Sequence, residues 1–194
     1  VPFSVRHRTT AFGYALVEDD RPGRFDAEPA ARLGVTPGPD FGRLQRGETV
    51  AGVAPEQVVG EARRGRRIVV TGDTAPTDAV VIAAHGADVL VHEATFAHED
   101  ADRAAATGHS TARQAAQVAA DAEVRLLALT HLSSRYAGHE IRDEARAVFA
   151  ATEVPRDFDT IEIPLPERGG PELIRWDDGQ QARRRGAAPL QSPA

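Results

Sequence analysis

Residues 67–95 read RIVVTGDTAPTDAVVIAAHGADVLVHEAT, and this stretch decides the fold class. It holds two short apolar runs, RIVVT at 67–71 and DVLVH at 88–92, separated by a segment at 77–86 that can form a helix. Runs of this length, ending in Gly72-Asp73-Thr74 and in His92-Glu93-Ala94-Thr95, have the pattern of buried strands. The alternation continues outward. Residues 110–122 are alanine-rich and predict a helix capped by Ser110 or Thr111. Residues 125–130 (RLLALT) predict a third buried strand that runs into His131. Residues 140–150 read as a further helix, and 160–165 (TIEIPL) as a final, partly exposed strand. Upstream, 11–18 (AFGYALVE) has the aromatic and aliphatic content of a strand. Strands alternating with helices predict an α/β fold. Asp73, His92 and His131 each stand at or just past the C-terminal end of a predicted strand, where α/β sheets commonly assemble ligand sites.

Composition narrows the class. The 194 residues, 41% hydrophobic and 27% charged, suffice for about one domain with a packed core. No stretch approaches the roughly 20 apolar residues that cross a bilayer, so no membrane span is expected. Cysteine is absent, which excludes disulfides, thiolate metal sites and a cysteine nucleophile, and fits a reducing compartment such as the cytoplasm. The opening VPFSV lacks the basic and apolar regions of a signal peptide.

The formal charge of −6 opposes indiscriminate binding of nucleic acid by the whole surface. Its distribution is uneven: residues 21–67 hold nine arginines against six acids. That segment either binds a polyanion locally or is an ordinary solvated loop. It is also punctuated by Arg21-Pro22-Gly23, Pro37-Gly38-Pro39 and further glycines. Such spacing forbids a long helix and predicts an extended excursion of turns over about 19–60. From about Glu167 to residue 194 the chain turns to Gly, Pro, Gln and Arg, including arginines 183–185, and predicts a flexible tail.

Histidine and aspartate without cysteine suit Zn²⁺ or Mn²⁺ in a hydrolytic site. The candidates are His7, Asp73, His92, His109 and His131. Each also has a plainer explanation: a surface residue for His7, a turn cap for Asp73, a turn residue for His109, and hydrogen-bonded core histidines for His92 and His131. His85, His98 and His139 lie in or beside polar segments and read as solvated.

Taken together the motifs are specific. Phe-Ser-Val-x-His (3–7), Ala-Phe-Gly-Tyr (11–14), Arg-Pro-Gly (21–23), Gly-Asp-Thr (72–74), His-Glu-Ala-Thr-Phe (92–96), Gly-His-Ser-Thr (108–111) and Leu-Thr-His-Leu-Ser-Ser-Arg-Tyr (129–136) occur in this order. The set resembles the ribonuclease Z family, tRNA 3′-processing endonucleases of the metallo-β-lactamase superfamily, over residues 1 to about 166. The resemblance implies a metallo-β-lactamase-like αββα sandwich, of which this chain is the C-terminal half, carrying a protruding flexible arm at about 19–60 that grips tRNA. It implies that His7 and His131 each ligate one of two zinc ions and that Asp73 bridges them. It implies that His109 assists at the scissile phosphate while Glu93 orients its imidazole and favours the charged form. Arg135 matches a phosphate contact, and Arg21, Pro22, Gly23, Pro37, Gly38 and Pro39 fall in the arm.

The family's His-x-His-x-Asp-His signature is missing: no two histidines of this chain stand two apart. The expectation is therefore a catalytically incomplete segment with uncovered apolar surfaces, drawn from a homodimeric enzyme acting on precursor tRNA. Two competing expectations remain: another dinuclear-zinc phosphodiesterase or hydrolase of the same fold, and a noncatalytic RNA-binding fragment.

Overall fold

The runs at 67–71, 88–92 and 125–130 are strands β3 (Arg67–Val70), β4 (Val89–Glu93) and β5 (Leu126–Thr130) in a computed structural model that describes residues 1–177. They pair in parallel, with Val69 opposite Leu90 and Leu90 opposite Leu127. β2 (Ala11–Val17) joins β3 antiparallel, β1 (Pro2–Val5) joins β2 antiparallel, and β6 (Thr152–Glu153) extends the parallel edge to six strands. β1 was not expected from sequence. Its four residues begin with proline and are alternately exposed, which is too little apolar pattern to read.

One face of the sheet is covered by α3 (Asp78–Ala84), α5 (Ala112–Asp121) and α6 (Gly138–Arg146). Val69, Leu90, Leu127 and Leu129 meet Val80, Ala84 and Ile141 there in one buried cluster. The α5 alanines at 112, 115, 116 and 119 follow helical spacing and are fully buried, so small side chains let this helix lie close to the sheet. Its start is fixed by a reciprocal cap. The Thr111 hydroxyl accepts the Gln114 N–H, and the Gln114 side chain accepts the Thr111 N–H.

On the opposite face Val89, Leu126 and Ala128 pack with Ile161 and Ile163. Ile161 belongs to β7 (Thr160–Glu162), which pairs with β8 (Glu172–Ile174). Toward β2 the same face is open: Phe12, Tyr14 and Leu16 occupy alternate positions and are 50%, 55% and 56% exposed. Tyr14 stands opposite Val70 and Leu16 opposite Ile68, so the exposed side chains form one patch. This is the uncovered apolar surface expected above, and surfaces of this kind promote association.

The tail does not begin at 167. Residues 172–174 are strand, and Asp159 ties the following turn down. Its carboxylate accepts the Arg156 and Trp176 backbone N–H groups and Arg175 Nη1. Burial would raise the Asp159 pKa, but these donors outweigh it and hold it at about 2. The remainder of the expected tail, 178–194 with arginines 183–185, lies outside the described residues.

Residues Glu18–Gly65 form a second compact unit. It is not an extended run of turns. It contains helices α1 (Ala27–Arg32) and α2 (Pro39–Gln45) around its own cluster of Ala30, Val35, Leu44, Val50, Val53 and Val58, with Phe25 and Phe41 in ring contact at 4.6 Å. The prolines that argued against helix sit where they are tolerated: Pro39 is the first residue of α2 and Pro29 lies in the first turn of α1, where backbone N–H groups have no helical partner. Among the described residues no helix is long and apolar enough to cross a membrane.

His92 is the core histidine its strand position suggested. It is fully buried, and its Nδ1 donates to the Glu93 carbonyl at 2.7 Å. Burial pushes its pKa below 6.5. The folded state therefore resists a proton that the unfolded chain accepts, so this stability is complete above about pH 6.5 and is lost as pH falls below it. Urea midpoints measured between pH 8 and pH 5 are expected to fall across that window, and to fall less in His92→Leu.

Candidate metal centre

Each parallel strand delivers a polar side chain to the same rim of the sheet. Asp73 follows β3 after Gly72, Glu93 is the last residue of β4, and His131 follows β5 in a left-handed conformation, φ 55°. A non-glycine residue in that region is uncommon and concentrates at functional sites. His7 stands two residues past β1. His109 follows Gly108, which ends α4 (Ala101–Thr107) with φ 74°. A Cβ at Gly108 would lie 3.2 Å from His7 Nδ1, so this turn needs glycine both for its backbone and for the approach of His7.

These groups converge. Donor atoms of His7, Asp73 and His109 lie within 4.8 Å of one another, as do those of Glu93, His109 and His131. His131 Nε2 is 3.6 Å from Asp73 Oδ1. The His109 ring stacks on that of His131 at 5.4 Å and meets that of His7 edge-on at 4.9 Å.

Hydrogen bonds assign the protons. His7 Nδ1 lies 2.9 Å from the Gly108 carbonyl, which can only accept, so Nδ1 carries the hydrogen and Nε2 keeps its lone pair. His109 Nδ1 lies 2.8 Å from Glu93 Oε1 and donates to it. The Glu93 side chain is wholly buried. Its Oε1 also accepts the Thr74 N–H, and its Oε2 accepts both the N–H and the hydroxyl of Thr95. Bare imidazole nitrogens beside a carboxylate, with no sulfur, are a donor set that fits a divalent cation such as zinc or manganese. His7, Asp73 and His109 form one such group and Glu93, His109 and His131 a second, while the set expected from the resemblance was His7, Asp73 and His131.

A family model described as a beta-lactamase superfamily domain matches residues 3–132. The chain belongs to the beta-lactamase superfamily. Within the superfamily it is 52% identical over 176 residues to a Haloferax volcanii protein named Ribonuclease Z, covering 87% of this chain and 56% of that one. It thus spans about half the length of the curated relatives it matches. The crystal structure of human tRNase Z, short form, matches 84% of this chain and 41% of its own at 25% identity and TM-score 0.50. The metallo-beta-lactamase fold protein YhfI from Bacillus subtilis matches 78% of this chain and 44% of its own at 17% identity and TM-score 0.50, a likeness of fold.

The remaining expected residues are not among the donor groups of the centre. Arg135 is exposed and lines a cleft of about 490 Å³ with Glu99, Asp100, Tyr136, Glu140 and Glu144. Burial and a short hydrogen bond to Asp100 raise the Tyr136 pKa. Arg21 is paired through its backbone with Arg63, and Arg63 Nε donates to the Pro22 carbonyl. Gly23 packs so tightly that a Cβ would lie 1.8 Å from the Gly60 carbonyl oxygen. Gly38 caps α2, and Pro37 precedes it. The fold of the second unit therefore accounts for the form of these arm residues on its own. Two residues of the centre had no expected role: Thr74, and Thr95 within His-Glu-Ala-Thr. A hydroxyl two residues beyond a strand-end carboxylate was the available signal.

Proposed function

We propose that this chain carries part of a ribonuclease Z-like endonuclease that hydrolyses the phosphodiester just 3′ of the discriminator nucleotide in tRNA precursors. The observation that carries the reading is the buried Glu93 carboxylate holding His109 at 2.8 Å, with His109 gathered with His7 and Asp73 on one side and with His131 on the other. Its support is the identity to relatives named Ribonuclease Z together with the His-Glu-Ala-Thr and His-Ser-Thr motifs. In this reading the metal is a pair of zinc ions, the working protein is a homodimer in the cytoplasm, and the rest of the ligand set comes from outside this chain.

Bound at this centre, divalent cations supply positive charge to the phosphoryl oxygens and make water acidic enough to attack phosphorus. The chain's residues do the rest. Glu93 fixes the His109 ring by its Nδ1, which leaves Nε2 for substrate. In this step His109 acts as the imidazolium, with Nδ1–H held by Glu93 and a second proton on Nε2. As water adds to phosphorus and the bond to O3′ breaks, Nε2 gives its proton to O3′, and a proton of the water replaces it. The RNA leaves with a 3′ hydroxyl and the trailer with a 5′ phosphate.

With this segment in a catalytically complete protein, His109→Ala is expected to lower kcat on a 3′-extended tRNA by roughly 10²–10⁴-fold. Unchanged turnover would remove His109 from the reaction. The Glu18–Gly65 unit has its own core, so it can be excised with a short linker. If it binds tRNA through phosphates and shape, as we propose, excision weakens pre-tRNA binding but spares a small chromogenic phosphodiester. Equal loss of both would make the unit structural. A complete enzyme that turns over the small diester and ignores pre-tRNA would favour a different phosphodiesterase of this fold.

A further inference from the structure

We infer that Thr95 is a positioning residue: its hydroxyl sets which nitrogen His131 presents to the metal centre. The hydroxyl touches three groups at once. It lies 2.9 Å from Glu93 Oε2, 2.8 Å from His131 Nδ1 and 3.3 Å from His109 Nδ1. It has one hydrogen to give. Both oxygens of Glu93 are already acceptors of backbone N–H groups, from Thr74 at 3.0 Å and from Thr95 itself at 3.0 Å. The Thr95 hydrogen therefore goes to Glu93 Oε2, and the hydroxyl oxygen faces His131 as an acceptor. His131 must then carry its proton on Nδ1, which leaves Nε2 bare and directed at the side where Asp73 stands.

Thr95 has a competitor. Asp73 Oδ1 is 3.6 Å from His131 Nε2, and a carboxylate there favours a proton on Nε2, the tautomer that cannot ligate. The side chain of His131 is 49% exposed and packing alone does not decide its state. The 2.8 Å contact to Thr95, whose own hydrogen is committed to a fully buried carboxylate, tips the choice toward Nδ1–H. Outer hydrogen bonds that fix a ligand imidazole in this way are a general device of metal sites. Thr95 thus links the Glu93–His109 pair to the opposite side of the centre, so one buried carboxylate orders both imidazoles. This deepens the reading of His131 as a ligand and rests on that reading for its consequence, while the tautomer itself does not depend on it.

The test is long-range ¹H–¹⁵N NMR of the metal-free, ¹⁵N-labelled chain, at a pH where the imidazoles are neutral. The native chain is expected to show His131 protonated on Nδ1. Thr95→Val, which keeps the shape and loses the hydroxyl, is expected to move the majority of His131 to the Nε2–H form. Thr95→Ser is expected to restore Nδ1–H. Nε2–H in the native chain, or Nδ1–H persisting in Thr95→Val, would overturn the proposal, and so would a Thr95→Ser chain that behaves like the valine variant. Should Thr95→Val fail to fold, Thr95→Ala takes its place as the variant without the hydroxyl, with the same expected and overturning results. No RNA is cleaved in this experiment, so it stands or fails apart from the nuclease reading.

Discussion

Glu93→Leu is expected to cost the chain about 3 kcal/mol or more of folding stability, read as a lower urea midpoint by circular dichroism. The carboxylate is completely buried and collects the backbone N–H groups of Thr74 and Thr95, the Thr95 hydroxyl and His109 Nδ1. Leucine fills the volume and satisfies none of them. Each orphaned buried donor costs about 1–3 kcal/mol, so the two backbone N–H groups alone account for most of the loss. Glu93→Gln distinguishes this cause from volume. Its amide turns an NH₂ toward one pair of donors, either Thr74 and His109 or the two of Thr95, so it too is destabilised, by less than leucine. A midpoint within error of the native chain for both variants would mean that these donors find other partners. The turns of Asp73 and Thr95 both hang on this residue, which makes it as much the keystone of the rim as a participant in chemistry.

That dual role shows what was readable in the sequence. β4 and β5 were visible because a strand buried on both faces is a nearly unbroken apolar run, and β3 because its IVV run is equally apolar although Val70 is exposed; each run stops at a polar residue. Asp73 and His131 were candidates for the same reason: each lies within three residues of the end of an apolar run, VV or LLAL, and so stands at a strand end. The second unit was misread because Gly and Pro were weighed as breakers. Its small core depends on Val35, Leu44, Val50, Val53 and Val58, which are too scattered to show any period. At the centre, the obstacle was sequence distance. His7 owes its tautomer to a carbonyl 101 residues away, and Thr95 meets His131 across 36 residues. Residue identity locates possible donors, but only the closed sheet decides which nitrogen of each ring faces inward. Motif resemblance supplied the set of residues without the hydrogen bonds that order them.

Asp73 is the contrasting carboxylate, and its replacement is expected to separate chemistry from folding. Its side chain is 42% exposed, and among the described residues it has no hydrogen bond, only the 3.6 Å approach of His131 Nε2. Asp73→Ala therefore removes little from the fold, and its unfolding free energy from urea titration is expected within about 0.5 kcal/mol of the native value, as for ordinary surface changes. Its effect on a catalytically complete protein is expected to be large. A carboxylate flanked by His7, His109 and His131 offers the negative charge that three imidazoles lack, and without it the centre holds a divalent cation less tightly. If about 4 kcal/mol of transition-state charge stabilisation goes with the cation, turnover falls about a thousandfold. The decisive comparison is the pair of variants measured side by side. Glu93→Leu should lose stability and activity together, whereas Asp73→Ala should keep its unfolding curve, lose turnover, and release metal to a weak chelator that leaves the native enzyme loaded. If Asp73→Ala instead unfolded early while retaining metal, the carboxylate would be a structural cap of its turn, and the centre would have to be assigned to Glu93, His109 and His131.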